Sequence, residues 1–383
     1  MADFSTSSHC HHWILQRQTL VDKLRASNQR AQEALKKYGA TRVEVQADGS
    51  LAYPENAEVE AAARKGPTPE HLTVQEEVMI RKFYEGKIQQ VCTAFLFPNK
   101  IQATAILYFK RFYLNWSVME HDPKHIMLTC IYISCKVEEF HVSAEELGKG
   151  IQQDPQVVLK NELTVLQGLE FELIVYAPYR SLDGYAFDLE NAVQGMGAVA
   201  VKNVQELREQ AVFEVDIMML TDVPLLFPPG QIAMAALRKA NRENRKVDLE
   251  RYMQGLLGRT GAKHTMSELE SAMDAIEIAM NESVHVEEEG VRRIDRKLKI
   301  CRNPQLQDET KKRERKGKQK QKKPQDAAPP TYPKPADSAI NHGIEESDNF
   351  TTPQVHMLRW EGMLSLLMSV KEIGAKTVLA IQY

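Results

Sequence analysis

One stretch limits what this chain can fold into. From Ile126 to Cys135, IMLTCIYISC, almost no polar residue interrupts the sequence, and Asp122 and Pro123 supply an N-cap and a first-turn proline. Ile126, Thr129, Cys130 and Ile133 follow at helical spacing, so the stretch predicts a helix apolar on nearly every side. Such a helix must be wrapped by others, which makes it the hub of a bundle. Beyond it the character changes abruptly to Lys136, Glu138 and Glu139. Charge beside a dry core is costly unless something binds there, so these three mark either a site or a solvated helix end.

The flanking sequence supplies the wrapping. Ile14 to Tyr38 reads as a helix with Leu20, Leu24, Ala31 and Leu35 on one face, closed by Gly39. Ala40 to His71 then dissolves into Gly, Pro, Ala and acidic residues and reads as a linker or surface loop. A capping box at Thr73 and Glu76 opens a helix through Phe95. Pro98 stops it, and Asn99 caps another that holds Ile101, Ala105, Leu107 and Phe112. After the hub, Ser143 and Glu146 form a second capping box. Asp154 and Pro155 start a fifth helix, through Val158, Leu159, Leu163 and Leu166 to a stop at Gly168.

A similar series follows Pro178. Helices are expected over Ser181 to Leu189, Val204 to Leu220, Gln231 to Asn241 and Leu249 to Leu257. Another starts from a capping box at Thr265 and Glu268, and the last covers Ile294 to Ile300. QIAMAALRKAN from Gln231, set beside IMLTCIYISCK, suggests a second hub in the corresponding place. The chain thus divides into an N-terminal helix and flexible loop (1–72), a first helical unit (73–177), a second (178–262), C-terminal helices (263–302) and a disordered tail (303–383). The fold class is all-α.

Charge is distributed unevenly. Lys311 to Lys323 holds nine basic residues and one acidic one, and without it 40 basic residues face 51 acidic ones. A body that acidic is a poor general binder of phosphate backbones. The run itself lacks apolar periodicity and reads as disordered, with Lys311, Lys312, Arg313, Arg315 and Lys316 as a candidate nuclear import signal. Met357 to Tyr383 is apolar, with Leu358, Met363, Leu366, Leu367 and Val370 at helical spacing, either a partner-binding helix or an extension. Asp3 and a histidine run stand where a signal peptide would need apolar residues. Five scattered cysteines without a CxxC pair argue for a reducing compartment.

No catalytic constellation is present: no glycine-rich phosphate loop, no GxSxG, no HExxH. An enzyme is therefore not expected, nor a cofactor. His9, Cys10, His11 and His12 are metal-ligand types but adjacent, without the spacing of a tetrahedral site, so no metal is expected. Trp13 beside them reads as a docking aromatic for the first helix. Cys130 and Cys135 read as buried small hydrophobes. Glu162 remains, a lone acid among Leu159, Leu163 and Leu166, and Lys136 is the cation available to it. The pair is either structural or aimed at a partner, with Leu166, Phe171 and Leu173 as its apolar surround.

KRFYL from Lys110, SVMEHDPKHIMLTC from Ser117, CKVEEF from Cys135 and LEFELIVYAPYR from Leu169 resemble the cyclin family, its H-type members closely. LLFPPGQIA from Leu225 looks more like the plant form. The resemblance covers about Trp13 to Arg302 apart from the Ala40 to His71 loop. It implies two tandem five-helix cyclin boxes with flanking helices. It also implies a regulatory subunit without catalysis of its own, which binds and activates the cyclin-dependent kinase of the CDK-activating kinase, with an assembly factor and the TFIIH core as further partners. Cell-cycle control, RNA polymerase II transcription and a nuclear location, with the cytoplasm as a second place, follow from it.

By the same resemblance Lys136 and Glu162 fit the Lys and Glu that clasp the kinase beside its mobile helix. Leu166, Phe171 and Leu173 fit that helix's apolar partners, and Val137 stands where many cyclins have an aromatic. Two departures are visible. Lys110 replaces an Asp of many cell-cycle cyclins, and their substrate-docking MRAIL is missing from the helix beginning near Glu76. The alternative function is a nucleic-acid-binding transcription adaptor of the TFIIB type, also built from two cyclin-like boxes. Those carry a zinc ribbon near the N-terminus, whereas here only Cys10 precedes Cys92.

Overall fold

In a computed structural model the described residues are 3–38, 41, 44–45, 51–52, 70–245, 247–260, 265–282 and 288–303. The N-terminal segment holds α1 (Ser8–His12) and α2 (Arg17–Tyr38), and two short strands, β1 (Glu44–Val45) and β2 (Leu51–Ala52), pair antiparallel with Val45 opposite Leu51. The first bundle is α3 (Val74–Ala94), α4 (Asn99–Asn115), α5 (Pro123–Val137), α6 (Ala144–Gly150), α7 (Pro155–Lys160) and α8 (Glu162–Gly168). The second is α9 (Pro178–Val193), α10 (Ala198–Met219), α11 (Val223–Leu226), α12 (Pro229–Asn244) and α13 (Leu249–Thr260), followed by α14 (Met266–Asn281) and α15 (Glu288–Arg302). Among the described residues no helix is long and apolar enough to cross a membrane. The expected loop falls largely outside the described residues. The basic run with its import candidate and the Met357–Tyr383 segment lie wholly outside them, as does the expected tail after residue 303.

α5 is the expected hub. Every residue from Ile126 to Cys135 is buried, and Asp122 caps its first turn by accepting from Lys124 N at 3.0 Å. α4 lies beside it and is as deeply buried, from Ile101 to Leu114 without a break. In the second bundle the run Ile232 to Leu237 on α12 is buried in the same way, wrapped by α9, α10 and α14. Capping boxes close at Thr73 with Glu76, Ser143 with Glu146 and Thr265 with Glu268. Asn99 is not a cap: Pro98 holds that position and the helix begins at Asn99 itself.

Two further expectations change. The fifth helix of the first unit is broken into α7 and α8, because the Asn161 side-chain amide donates to the Val157 carbonyl at 2.7 Å and so competes for an acceptor of the ladder. Gly168 does not supply the left-handed stop either; Glu170 and Phe171 take φ of +54° and +58°. Gly168 instead lets α8 approach α4, since a Cβ there would run into the Phe112 ring.

Burial of all of α4 takes charges with it. Lys110 Nζ lies 2.6 Å from Glu85 Oε2, with both side chains at most 6% exposed. Burial, against the pull of Lys110, pushes the Glu85 carboxyl up. α2 is tied on by Arg30, whose guanidinium holds Glu120 at 2.6 Å and covers the Trp116 ring. α15 returns to the first bundle, where Arg302 meets Asp122 at 2.5 Å and Lys297 meets Glu76 at 2.9 Å.

Removing one member of a buried ion pair strands the other, at about 3–5 kcal/mol. Lys110→Met is expected to lower the unfolding free energy in urea by that amount. The double variant Glu85→Leu/Lys110→Met should recover more than half of the loss.

Candidate functional site

Lys136 occupies the last turn of α5 and Glu162 the first turn of α8, so each charge sits at the helix end that favours its sign. The Asn161 break makes this arrangement, since in a continuous helix Glu162 would be an interior residue. Lys136 Nζ donates to Glu162 Oε1 at 2.6 Å and rests 4.6 Å from the centre of the Tyr132 ring. The bond to Glu162 raises the ammonium pKa above its ordinary value. The two side chains are 48% and 25% exposed. A pair this open is worth about 1 kcal/mol or less to stability, and its polar face is available to another molecule.

The surround is apolar and open. Val137 and Phe171 are exposed, Phe171 at 61%, while Leu166 and Leu173 are half-buried. Phe171 is held in a left-handed backbone conformation that costs a bulky residue about 1–3 kcal/mol. Its amide donates to Leu166 O at 3.0 Å, and Leu173 O accepts from the Tyr108 hydroxyl at 2.5 Å. The connection from α8 to α9 is thereby pinned from beneath with the Phe171 ring outward. Leu159, Leu163 and Ile174 are exposed apolar residues of the same region that sequence reasoning missed as surface. Leu159 and Leu163 had the spacing of a core stripe, and the signal against that was Asn161 between them.

Of the three charges after the hub, Glu138 turns inward. Its carboxylate accepts from Thr104 Oγ1 at 2.8 Å and its carbonyl from Lys100 Nζ at 2.7 Å. The histidine run serves the α8–α9 connection: His9 Nδ1 accepts from Tyr176 N at 3.0 Å, and His12 Nδ1 lies 2.6 Å from Glu172 Oε1. Among the described residues no group of three or more His, Cys, Asp and Glu could hold a metal ion. Trp13 packs with Leu20, Leu114 and Leu225 and donates from Nε1 to Glu172 at 2.6 Å. Cys130 and Cys135 are buried, and burial pushes the Cys135 thiol up to about 12, far from a reactive thiolate.

Two family descriptions match the chain, "Cyclin, N-terminal domain" over residues 55–174 and "Cyclin C-terminal domain" over residues 177–281. Cyclin-H1-1 of Arabidopsis thaliana is 48% identical over 315 residues, 82% of this chain and 93% of that one. Among solved structures, a chain of the CAK complex from Chaetomium thermophilum bound to ATP-gamma-S superposes with a TM-score of 0.64 at 22% identity, covering 86% of this chain and all of that one. A chain of the yeast TFIIK (Kin28/Ccl1/Tfb3) complex gives 0.55 at 23%, covering 72% and all. At such identities these two likenesses speak for the fold.

Burial holds His9 and His121 neutral, at about 3, with Arg111 near the first and Arg302 and Arg30 near the second. Unfolding lets each take a proton near pH 6.5, so their contribution is complete above 6.5 and declines as pH falls toward 3. Each should remove about 1.4 kcal/mol per pH unit within that window. Denaturant titrations at pH 7, 6 and 5 are expected to show a shallower decline for His9→Asn than for wild type.

Proposed function

The chain belongs to the cyclin family, in its cyclin H branch, and from that premise we propose how its first bundle works. It is the regulatory subunit that binds and activates a cyclin-dependent kinase in the CDK-activating kinase complex associated with TFIIH, serving cell-cycle control and RNA polymerase II transcription. Lys136 and Glu162 clasp the kinase beside its mobile helix. Val137, Leu166, Phe171 and Leu173 pack on that helix. The observation that carries this reading is the 2.6 Å Lys136–Glu162 pair, formed across two helix ends and left open within an apolar rim.

The action needs no chemistry from this chain. A kinase is competent when its Lys–Glu ion pair and metal-binding segment are both aligned, and the Glu rides on the mobile helix. A cyclin that binds only the inward pose of that helix shifts the population toward it. Driving the helix from almost always out to almost always in takes about 5 kcal/mol of differential affinity, within reach of a few buried anchors. An apolar rim around a charged clasp supplies both halves: burial gives affinity, and the charges fix register by pairing with the partner's backbone groups. The wider partners on this reading are an assembly factor and the TFIIH core, and the working location is the nucleus.

Reconstitution with the catalytic subunit of the CDK-activating kinase tests the clasp. Lys136→Ala and Glu162→Ala are each expected to weaken binding by about 2 kcal/mol, and Phe171→Ala by a similar amount, without loss of the helical circular-dichroism signal. Unchanged binding by all three folded variants would remove the site.

A further inference from the structure

The N-terminal segment grips the α8–α9 connection more firmly than helix packing requires. Trp13 Nε1 and His12 Nδ1 take the two oxygens of Glu172, each at 2.6 Å, and His9 Nδ1 takes the Tyr176 amide at 3.0 Å. The His9 ring stands edge-on to Phe4, and Phe4 edge-on to Tyr176, with centroids 5.6 and 5.4 Å apart. α4 reaches the same backbone: Tyr108 donates to the Leu173 carbonyl at 2.5 Å and Arg111 Nη1 to the Glu172 carbonyl at 3.5 Å. The connection is therefore held by two elements, at 172, 173 and 176.

Arg111 joins the two grips. Its side chain is fully buried, its Nε and Nη2 have no hydrogen-bond partner, and its guanidinium lies 4.9 Å from the centre of the Trp13 ring. A buried cation with unmet donors leans on whatever π-face and dipoles cover it. Trp13 is that cover, and Trp13 is also the donor to Glu172. Undocking the indole uncovers Arg111 and at the same time strips Glu172 of one of its two side-chain partners. One residue before Glu172 stands Phe171 in its left-handed conformation, which persists only where its surroundings over-determine it.

We propose that His9, His12 and Trp13 are positioning residues for kinase binding, acting through Glu172 and Tyr176 to hold the 171–176 backbone in the pose that presents Phe171 and Leu173. This rests on the clasp reading above and adds to it that the competent pose is set by a segment more than 150 positions away in the chain. Affinity then scales with the fraction of molecules whose connection is in that pose. Saturating kinase restores the pose, so maximal activation is unchanged while the concentration needed rises.

The experiment uses the full chain with the kinase catalytic subunit and four variants. Trp13→Phe keeps the ring and removes the donor; His9→Leu removes the acceptor for Tyr176, and His9→Asn restores an oxygen in its place; Lys136→Ala reports on the clasp. Expected are faster amide exchange over 170–176 and about tenfold weaker binding for Trp13→Phe and His9→Leu, near wild-type behaviour for His9→Asn, and full activation at saturation for all three. If Lys136→Ala weakens binding and Trp13→Phe and His9→Leu do not, the positioning role is overturned while the clasp stands. If His9→Asn fails as badly as His9→Leu, bulk packing is what matters and the role is likewise overturned. If no variant alters binding, the clasp falls and this inference with it.

Discussion

Enclosing two adjacent helices on every side is the constraint from which the rest of the first bundle follows. α4 and α5 have no solvent face over most of their length. Every polar group they carry must find its partner inside, and every neighbour must reach them closely. Lys110 therefore answers to Glu85, and Thr104 to Glu138, while Gly168 gives up its side chain so that α8 can lie against Phe112. Arg111 is the place where that accounting is least complete, and the N-terminal segment covers it.

The hub was legible because its ten buried residues are themselves apolar or small, and helix starts were legible because capping boxes and Asp-Pro pairs are local signals. α4 was harder. Its helix was read from Ile101, Ala105, Leu107 and Phe112, but KRFYL puts two charges side by side, and the burial of Lys110 rests on a tertiary pairing with a residue 25 positions earlier. The site divides along the same line. Lys136 and Glu162 could be matched by need, one cation to one stranded acid, but the Asn161 break that brings Glu162 to a helix start depends on a single side-chain bond. Phe171 in a left-handed pose and the histidines turned toward the α8–α9 connection are products of packing, with no local pattern to announce them.

Strain and openness coincide at the rim of the first bundle. Phe171 holds an unfavourable backbone angle while its ring stays in water, an arrangement that costs the isolated chain stability. The charged pair behaves alike: joined at 2.6 Å and half open to water, it adds little to stability. Features that a folded monomer would do better without are gathered in one place, as expected where selection acts on a complex.

α15 carries a consequence for synthesis. It is the last described helix, yet it docks through Arg302 and Lys297 onto residues 122 and 76, and Glu282 just before it meets Arg17. A nascent chain emerging from the ribosome can collapse α3 to α8 early, since those contacts are local. The outer wall of that bundle still has to wait, after α8 ends at Gly168, for residues 169 to 302 to be translated before Arg302 can meet Asp122. Until then the surface that α15 will cover stands open, and a message truncated between α8 and α15 would yield a product whose first bundle is complete in sequence and unfinished in fold.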